Sequence, residues 1–276
     1  MMTDDLANLQ TTVREYYRTH GRHDLPWRLP AADGSFDPYA ITVSELMLQQ
    51  TQVPRVIPKY QAFLERFPTV QALALAPLSE VLIVWSGLGY NRRAKFLWQT
   101  AQAVAARFDG VFPQTRAELV SLSGIGSNTA GAIMAYAYNL PVSFIETNVR
   151  TVYIHHFFQD AKAVADAELL PHITASIPRD DPRSWYWAIM DYGSYLKQTI
   201  GNVSRSSKSY AKQSAFQGSR RQIRGQILRA LTGGPHPQQV LEAMVTDERL
   251  AVVLSDLLAE GLVEINNSSV YQLRMI

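Results

Sequence analysis

The chain has 276 residues, 47% of them hydrophobic, a formal net charge of +2 and no cysteine. That apolar fraction fills a core, so disorder is excluded as the dominant state, and the length admits one large domain or two. The missing cysteines exclude disulfides, thiolate zinc sites, iron–sulfur ligation and cysteine nucleophiles, and the near-neutral balance means that a nucleic-acid partner must be argued from where the charges lie.

The N-terminus carries Asp4 and Asp5 in place of a basic, then apolar, leader, and no apolar run reaches membrane length. The expectation is a soluble, cytoplasmic protein. Leu6, Leu9, Val13, Tyr16 and Tyr17 fall at helical spacing over residues 5–19 and predict an amphipathic first helix. Leu25, Pro26, Trp27 and Arg28 follow, then a loop rich in Pro, Gly and Asp. Trp27 beside Arg28 suits stacking on a base and suits a core plug equally.

Helical pattern returns over 39–52, with Ile41, Val43, Leu46, Met47 and Leu48 around Glu45. A carboxyl in such a face is either an edge group near solvent or one with a raised pKa, and taken alone the first reading is the commoner. Gln49, Gln50, Thr51 and Gln52 then offer uncharged hydrogen-bonding groups. Further helices are predicted at 56–66, 69–76 and 77–85. Gly87, Leu88, Gly89 and Tyr90 break the last of these, and Arg92, Arg93 and Lys95 open the next. A basic helix start such as Arg92 suits a phosphate contact and suits a solvated helix end equally.

Thr115 and Glu118 form a capping box ahead of the turn Gly124-Ile125-Gly126, and a helix follows from Ser127. Helix, glycine turn, helix is the grammar of a helix-hairpin-helix. Glycines in the turn leave the amides of Gly124, Gly126, Ser127 and Thr129 free to face a DNA phosphate. Glu146 comes about one helix and one turn later, where it can deliver charge to the attached sugar.

Residues 162–200 read as two helices, with Trp185, Tyr186, Trp187, Ile189 and Met190 as core. From Tyr192 through Leu241 there is no acidic residue, while Lys197, Arg205, Lys208, Lys212, Arg220, Arg221, Arg224 and Arg229 accumulate. Residues 204–219 read as a linker or a basic strap against DNA. Three helices and a terminal hairpin from 220 onward follow the order of a winged helix.

Leu25 to Arg28, the run Ser44-Glu45-Leu46-Met47-Leu48-Gln49-Gln50-Thr51-Gln52-Val53, Gly87 to Tyr90, Gly124 to Ala132 and Met190 to Gly193 resemble, in order and spacing, the helix-hairpin-helix DNA glycosylases, and among them the adenine glycosylases of the MutY type. The likeness spans about residues 6–200. It implies a mainly α, two-lobed glycosylase fold over 1–200, with one lobe at 39–150 holding the hairpin 115–136 and the other made of 1–38 and 151–200. A basic linker at 201–219 and a small winged-helix-like domain at 220–276 would follow.

By this resemblance Glu45 protonates the extruded adenine, Glu146 and Asn148 stand in the family's Asp-Gly-Asn pattern, Gln50 is the wedge in the opened duplex, and Tyr90 inserts beside the lesion. Leu25, Trp27 and Arg28 fall to the base pocket. The implied partner is double-stranded DNA carrying a mismatch or an oxidised base, met by a monomer, with a monovalent cation held by hairpin carbonyls.

The chain departs from the family in several places. Asn128 stands where the bifunctional branch has lysine, and an amide cannot form a Schiff base. Lys197 stands at the first cluster cysteine, so a cluster-free relative is expected. Glu146 replaces aspartate and is one methylene longer. The tail resembles a short winged helix, not the Nudix-like domain with which typical members read 8-oxoguanine. A thymine or uracil mismatch glycosylase, or a DNA-binding protein without catalysis, remain open alternatives.

Overall fold

The computed structural model describes residues 2–212 and 215–275; positions 213 and 214 of the expected linker lie outside the described residues. In chain order the helices begin with α1 (Met2–His20), α2 (Pro38–Leu48), α3 (Val53–Arg66), α4 (Val70–Leu75) and α5 (Leu78–Trp85). Next come α6 (Arg92–Arg107), α7 (Arg116–Val120), α8 (Ser127–Tyr138), α9 (Thr147–Phe157), α10 (Asp166–Ser176) and α11 (Pro182–Thr199). The C-terminal part holds α12 (Arg220–Leu231), α13 (Gln238–Met244), α14 (Leu250–Ala259), β1 (Val263–Ile265) and β2 (Tyr271–Leu273). The architecture is mainly helical, as the sequence predicts.

Two compact units account for the chain. The first comprises Met1–Ile41, Gln114–Val120 and Ile125–Lys212. Here α11 packs on α9 and α1, and Leu9, Val13, Val149, Val152, Tyr153, Trp185 and Ile189 fill the core. Gly193 permits that approach: a Cβ there would stand 2.6 Å from the Asn148 carbonyl oxygen. The segment read as a linker or a basic strap is hydrogen-bonded at its start to the residues ahead of α10. The Val164 amide donates to the Ser206 carbonyl at 2.7 Å, and the Lys208 amide donates to the Val164 carbonyl at 2.9 Å.

The second unit comprises Thr42–Pro113, Ser121–Gly124 and Gln213–Ile276. In it α4 and α5 pack against α6, with Phe63, Leu73, Leu82, Trp85 and Leu97 buried. Its C-terminal part pairs β1 with β2 antiparallel, with Val263 opposite Leu273. These strands close over Ile227, Leu231, Val253 and Leu257 from α12 and α14, the order of a winged helix.

Helix α2 differs from its expected extent of 39–52. It ends at Leu48, because Gln50 takes a left-handed φ of 56° and the chain turns. Its start is fixed by Asp37, whose carboxylate accepts from the Tyr39 amide at 2.8 Å, with Pro38 preset for the first helical position.

Candidate active site

Glu45 sits half-buried on α2 between the buried residues Ser44 and Leu46. What holds this helix end in the second unit is Arg93, which is itself buried. Its guanidinium donates to the carbonyls of Leu46, of Met47 at 3.0 Å and of Gln49 at 2.6 Å, and to the Thr51 hydroxyl and Gly89 carbonyl at 3.2 Å. These are the carbonyls that a helix C-terminus leaves without partners, and a cation there also meets the negative end of the helix dipole. Burial lowers the Arg93 pKa to about 10, so it stays charged at neutral pH. Arg93 gives no signal in the sequence that separates it from Arg92, which was the expected contact. Arg92 is exposed, with its guanidinium 5.4 Å from the Phe96 ring centre.

Gln50 and Tyr90 both hold positive φ, 56° and 48°, a conformation that costs a non-glycine residue about 1–3 kcal/mol and collects at functional sites. Tyr90 also meets Arg221, whose guanidinium carbon lies 5.2 Å from the ring centre and which donates to the Tyr90 hydroxyl. That contact within the second unit was not visible in the sequence.

The hairpin turn follows its expected geometry. Thr115 caps α7 by accepting from the Glu118 amide at 3.3 Å. Gly124 takes φ +74°, and a Cβ on it would stand 2.6 Å from the Phe96 Cβ, so glycine is required on two counts. Gly126 is the N-cap of α8 and a Cβ there would meet nothing within 4 Å, which leaves its surface open. The Ser127 hydroxyl accepts from Arg116 at 3.1 Å, and Thr129 is buried.

The hairpin also steers Glu146. Arg116 reaches from α7 to the Ser127 carbonyl at 2.7 Å and the Ser143 carbonyl at 2.8 Å. The Asn128 side-chain oxygen accepts from the Ile145 amide at 3.1 Å. The bonds to Ser143 and Ile145 anchor the segment that ends at Glu146, the N-cap of α9. Asn128 therefore acts on the backbone next to a carboxylate.

Burial pushes the Glu146 pKa up, opposed by the charges of Arg150 and Lys197. Arg150 is shared with Asp166, an ion pair at 2.6 Å. Lys197 donates to the Asn148 side-chain oxygen at 2.6 Å, while the Asn148 amide approaches the Met190 sulfur at 3.7 Å. Burial brings the Lys197 pKa down to about 8, with the charge of Glu146 working against that fall. Thus Glu146, Asn148 and Lys197 form one cluster within the first unit. Lys197 is marked in the sequence as standing at the first cluster cysteine, and its contact with Asn148 is not visible there.

Leu25 and Trp27 are buried, and the Arg28 guanidinium pairs with Asp191 at 2.8 and 3.0 Å. Arg22 joins the same carboxylate from its backbone amide and side chain, each at 2.8 Å. Burial raises the Asp191 pKa, but Arg28 and Arg22 outweigh it and hold the carboxyl below its usual value. The structure brings the Leu25–Arg28 motif to the Met190–Gly193 motif as an internal lock. An iron–sulfur cluster does not fit these side chains: there is no cysteine, and Lys197 is committed to Asn148. Among the described residues no group of three or more His, Cys, Asp or Glu converges to hold a metal.

Residues 43–171 match the family described as HhH-GPD superfamily base excision DNA repair protein. An adenine DNA glycosylase of Mycolicibacterium smegmatis is 35% identical over 278 residues, covering 89% of each chain. One from Buchnera aphidicola subsp. Baizongia pistaciae is 35% identical over 213 residues, covering 75% of this chain and 59% of that one. The human adenine DNA glycosylase is 42% identical over 135 residues, which is 48% of this chain and 25% of the human one. Among solved structures, a thermostable thymine-DNA glycosylase aligns with a TM-score of 0.61 at 23% identity, over 70% of this chain and 87% of that chain. Endonuclease III in a non-covalent DNA complex aligns with a TM-score of 0.54 at 16% identity, over 70% and 86%. At such identities the structural likeness speaks for the fold.

Proposed function

This chain belongs to the HhH-GPD superfamily of base excision DNA repair proteins and, within it, to the adenine DNA glycosylases, which are DNA N-glycosylases; from that premise we propose that it excises adenine mispaired with 8-oxoguanine or guanine in double-stranded DNA. The target base must leave the stack before its glycosidic bond can be reached. Cleavage builds positive charge on the sugar and negative charge on the base, so the reaction needs one anion and one proton donor. Glu45 is the donor to the adenine. Glu146 is the anion beside the developing sugar cation, and water completes the hydrolysis.

The observation that carries this reading is the Glu146 cluster: a half-buried carboxyl with the charges of Arg150 and Lys197 acting on it. Such a group is preorganised for a developing positive charge and needs no reorientation when it forms. The hairpin amides from Gly124 to Thr129 take a backbone phosphate, with a monovalent cation at the hairpin carbonyls. The chemistry ends at hydrolysis, because Asn128 offers no amine and its side-chain oxygen already accepts from Ile145.

The test is base release from duplexes with adenine opposite 8-oxoguanine, adenine opposite guanine, and thymine or uracil opposite guanine, read by alkaline cleavage. Glu45→Gln is expected to lower adenine release by about 10²- to 10⁴-fold and leave duplex affinity unchanged. Release of thymine or uracil in preference to adenine would replace the substrate, and no release from any duplex would replace the enzyme with a DNA-binding protein.

A further inference from the structure

Glu146 has two cations beside it, and each of them bonds to another group. Arg150 stands one turn along α9, its amide donating to the Glu146 carbonyl at 2.9 Å, and side chains at that spacing reach each other. Its guanidinium turns instead to Asp166, donating from Nε at 2.7 Å and from Nη2 at 2.6 Å. Lys197 of α11 gives its bond to Asn148. Among the described residues no side chain donates a hydrogen bond to the Glu146 carboxyl.

Asp166 is placed independently of its pair with Arg150. It opens α10, which packs on α9. Ahead of it, the Ala165 amide donates to Glu168 at 2.8 Å, and Val164 is bonded through its amide to Ser206 and through its carbonyl to Lys208. A carboxylate in a first helical turn also meets the positive end of the dipole. The bond from Arg150 holds the Asp166 carboxyl below its ordinary value, so it is charged at neutral pH.

A cation bonded directly to Glu146 would occupy its oxygens and offset the charge that a developing sugar cation needs, whereas a cation held to one side keeps the carboxyl ionised and open. We propose that Asp166 is a positioning residue: by its forked bond it diverts Arg150 from Glu146 and leaves that carboxylate unpaired for the sugar. This rests on the reading of Glu146 as the catalytic anion. The other charged groups around it are few. Lys197 comes from α11, Glu168 on α10 is bonded to the Ala165 amide, and the turn 203–206 packed on α9 brings the exposed Arg205. The hairpin helix α8 brings the uncharged Asn128.

The experiment reads Glu146 in the whole chain by NMR, following its carboxyl carbon against pH in protein labelled with carbon-13 glutamate; its signal is the one lost in Glu146→Gln. Single-turnover release from a duplex with adenine opposite 8-oxoguanine is measured alongside. Asp166→Ala frees Arg150 to pair with Glu146, which favours the charged form, so the titration should move to lower pH. Release should then fall on the order of 10²-fold. Asp166→Glu keeps the carboxylate and should restore both. Arg150→Gln removes the diverted cation, so Glu146 should titrate at higher pH, and adding Asp166→Ala to it should move the titration no further.

A folded Asp166→Ala protein in which Glu146 titrates as in the wild type overturns the proposal. So does the same downward move in the Arg150→Gln background, since Asp166 would then act without Arg150. A moved titration with release at the wild-type rate removes the positioning role. If Asp166→Ala melts early, Asp166→Asn, which keeps the shape and loses the charge, carries the same test. The two readings fail separately. A wild-type chain that releases no base, while Asp166→Ala lowers the Glu146 titration, leaves the diversion of Arg150 standing and removes the catalytic assignment.

Discussion

Replacing Lys197 by methionine separates catalysis from stability. Lys197 supports Asn148 through the 2.6 Å bond and supports the charge of Glu146. Loss of the charged donor strands the Asn148 oxygen, at a cost of about 1–3 kcal/mol. Against this, burying the ammonium already costs stability. A fall in pKa from 10.5 to about 8 corresponds to about 3 kcal/mol, which solvent screening of a half-exposed side chain reduces to about 1–2 kcal/mol. That cost is full below about pH 8 and fades as pH rises toward 10.5, so methionine removes it at neutral pH. The two effects nearly cancel, and Tm should move little.

The rate should not be spared. With one cation fewer near Glu146 and Asn148 free to turn, single-turnover base release should fall on the order of 10²-fold at neutral pH. The Glu146 pKa, already raised by burial, rises further when Lys197 is gone, so the acid limb of the pH–rate profile moves to higher pH. In the wild type the rate should drop again as Lys197 loses its proton near pH 8. Lys197→Arg, charged throughout, should lack that alkaline limb. A folded Lys197→Met protein with the wild-type profile and rate would refute the assignment of Lys197 as a positioning residue for Glu146.

Gly124→Ala should destabilise the fold by about 1–3 kcal/mol and weaken duplex binding, whereas Gly126→Ala should keep the wild-type Tm, so that any loss of affinity reports the approach of DNA; anisotropy and thermal melting on both variants decide. Arg28→Leu should lower stability by about 3–5 kcal/mol in denaturant titration, because the buried Asp191 keeps only Arg22. The Asp191 pKa is depressed in the fold, so its stabilisation is present above 3.8 and is lost as pH falls below that value; Asp191→Asn should remove this acid dependence. Borohydride added during turnover should trap no covalent protein–DNA complex, and a trapped product would show that an amine attacks the sugar.

Local pattern carried much of the fold, because helix boundaries are written in nearby residues. Thr115 with Glu118, Pro38 after Asp37 and the Gly124 turn each specify their own backbone. The end of α2 escaped that logic. The helical reading carries on through the polar run Gln49 to Gln52, and it is Arg93, more than forty positions away in sequence, that takes the free carbonyls where the chain turns at Gln50. The same distance in sequence hid the fate of Arg28. A guanidinium beside a tryptophan reads as a ligand contact until Asp191 is seen to occupy it.

By itself the sequence determined the succession of helices, the glycine hairpin and the family motifs around Glu45 and Glu146, since each depends on residues within a few positions of one another. It also excluded a cysteine-bound cluster outright. Only the tertiary structure decided what those motifs touch: Asn128 on the Ile145 amide, Lys197 on Asn148, and Arg221 on Tyr90. A side chain's partner is fixed by packing between segments remote in the chain, and the burial that shifts the pKa of Glu146 up and that of Lys197 down exists only once those segments meet.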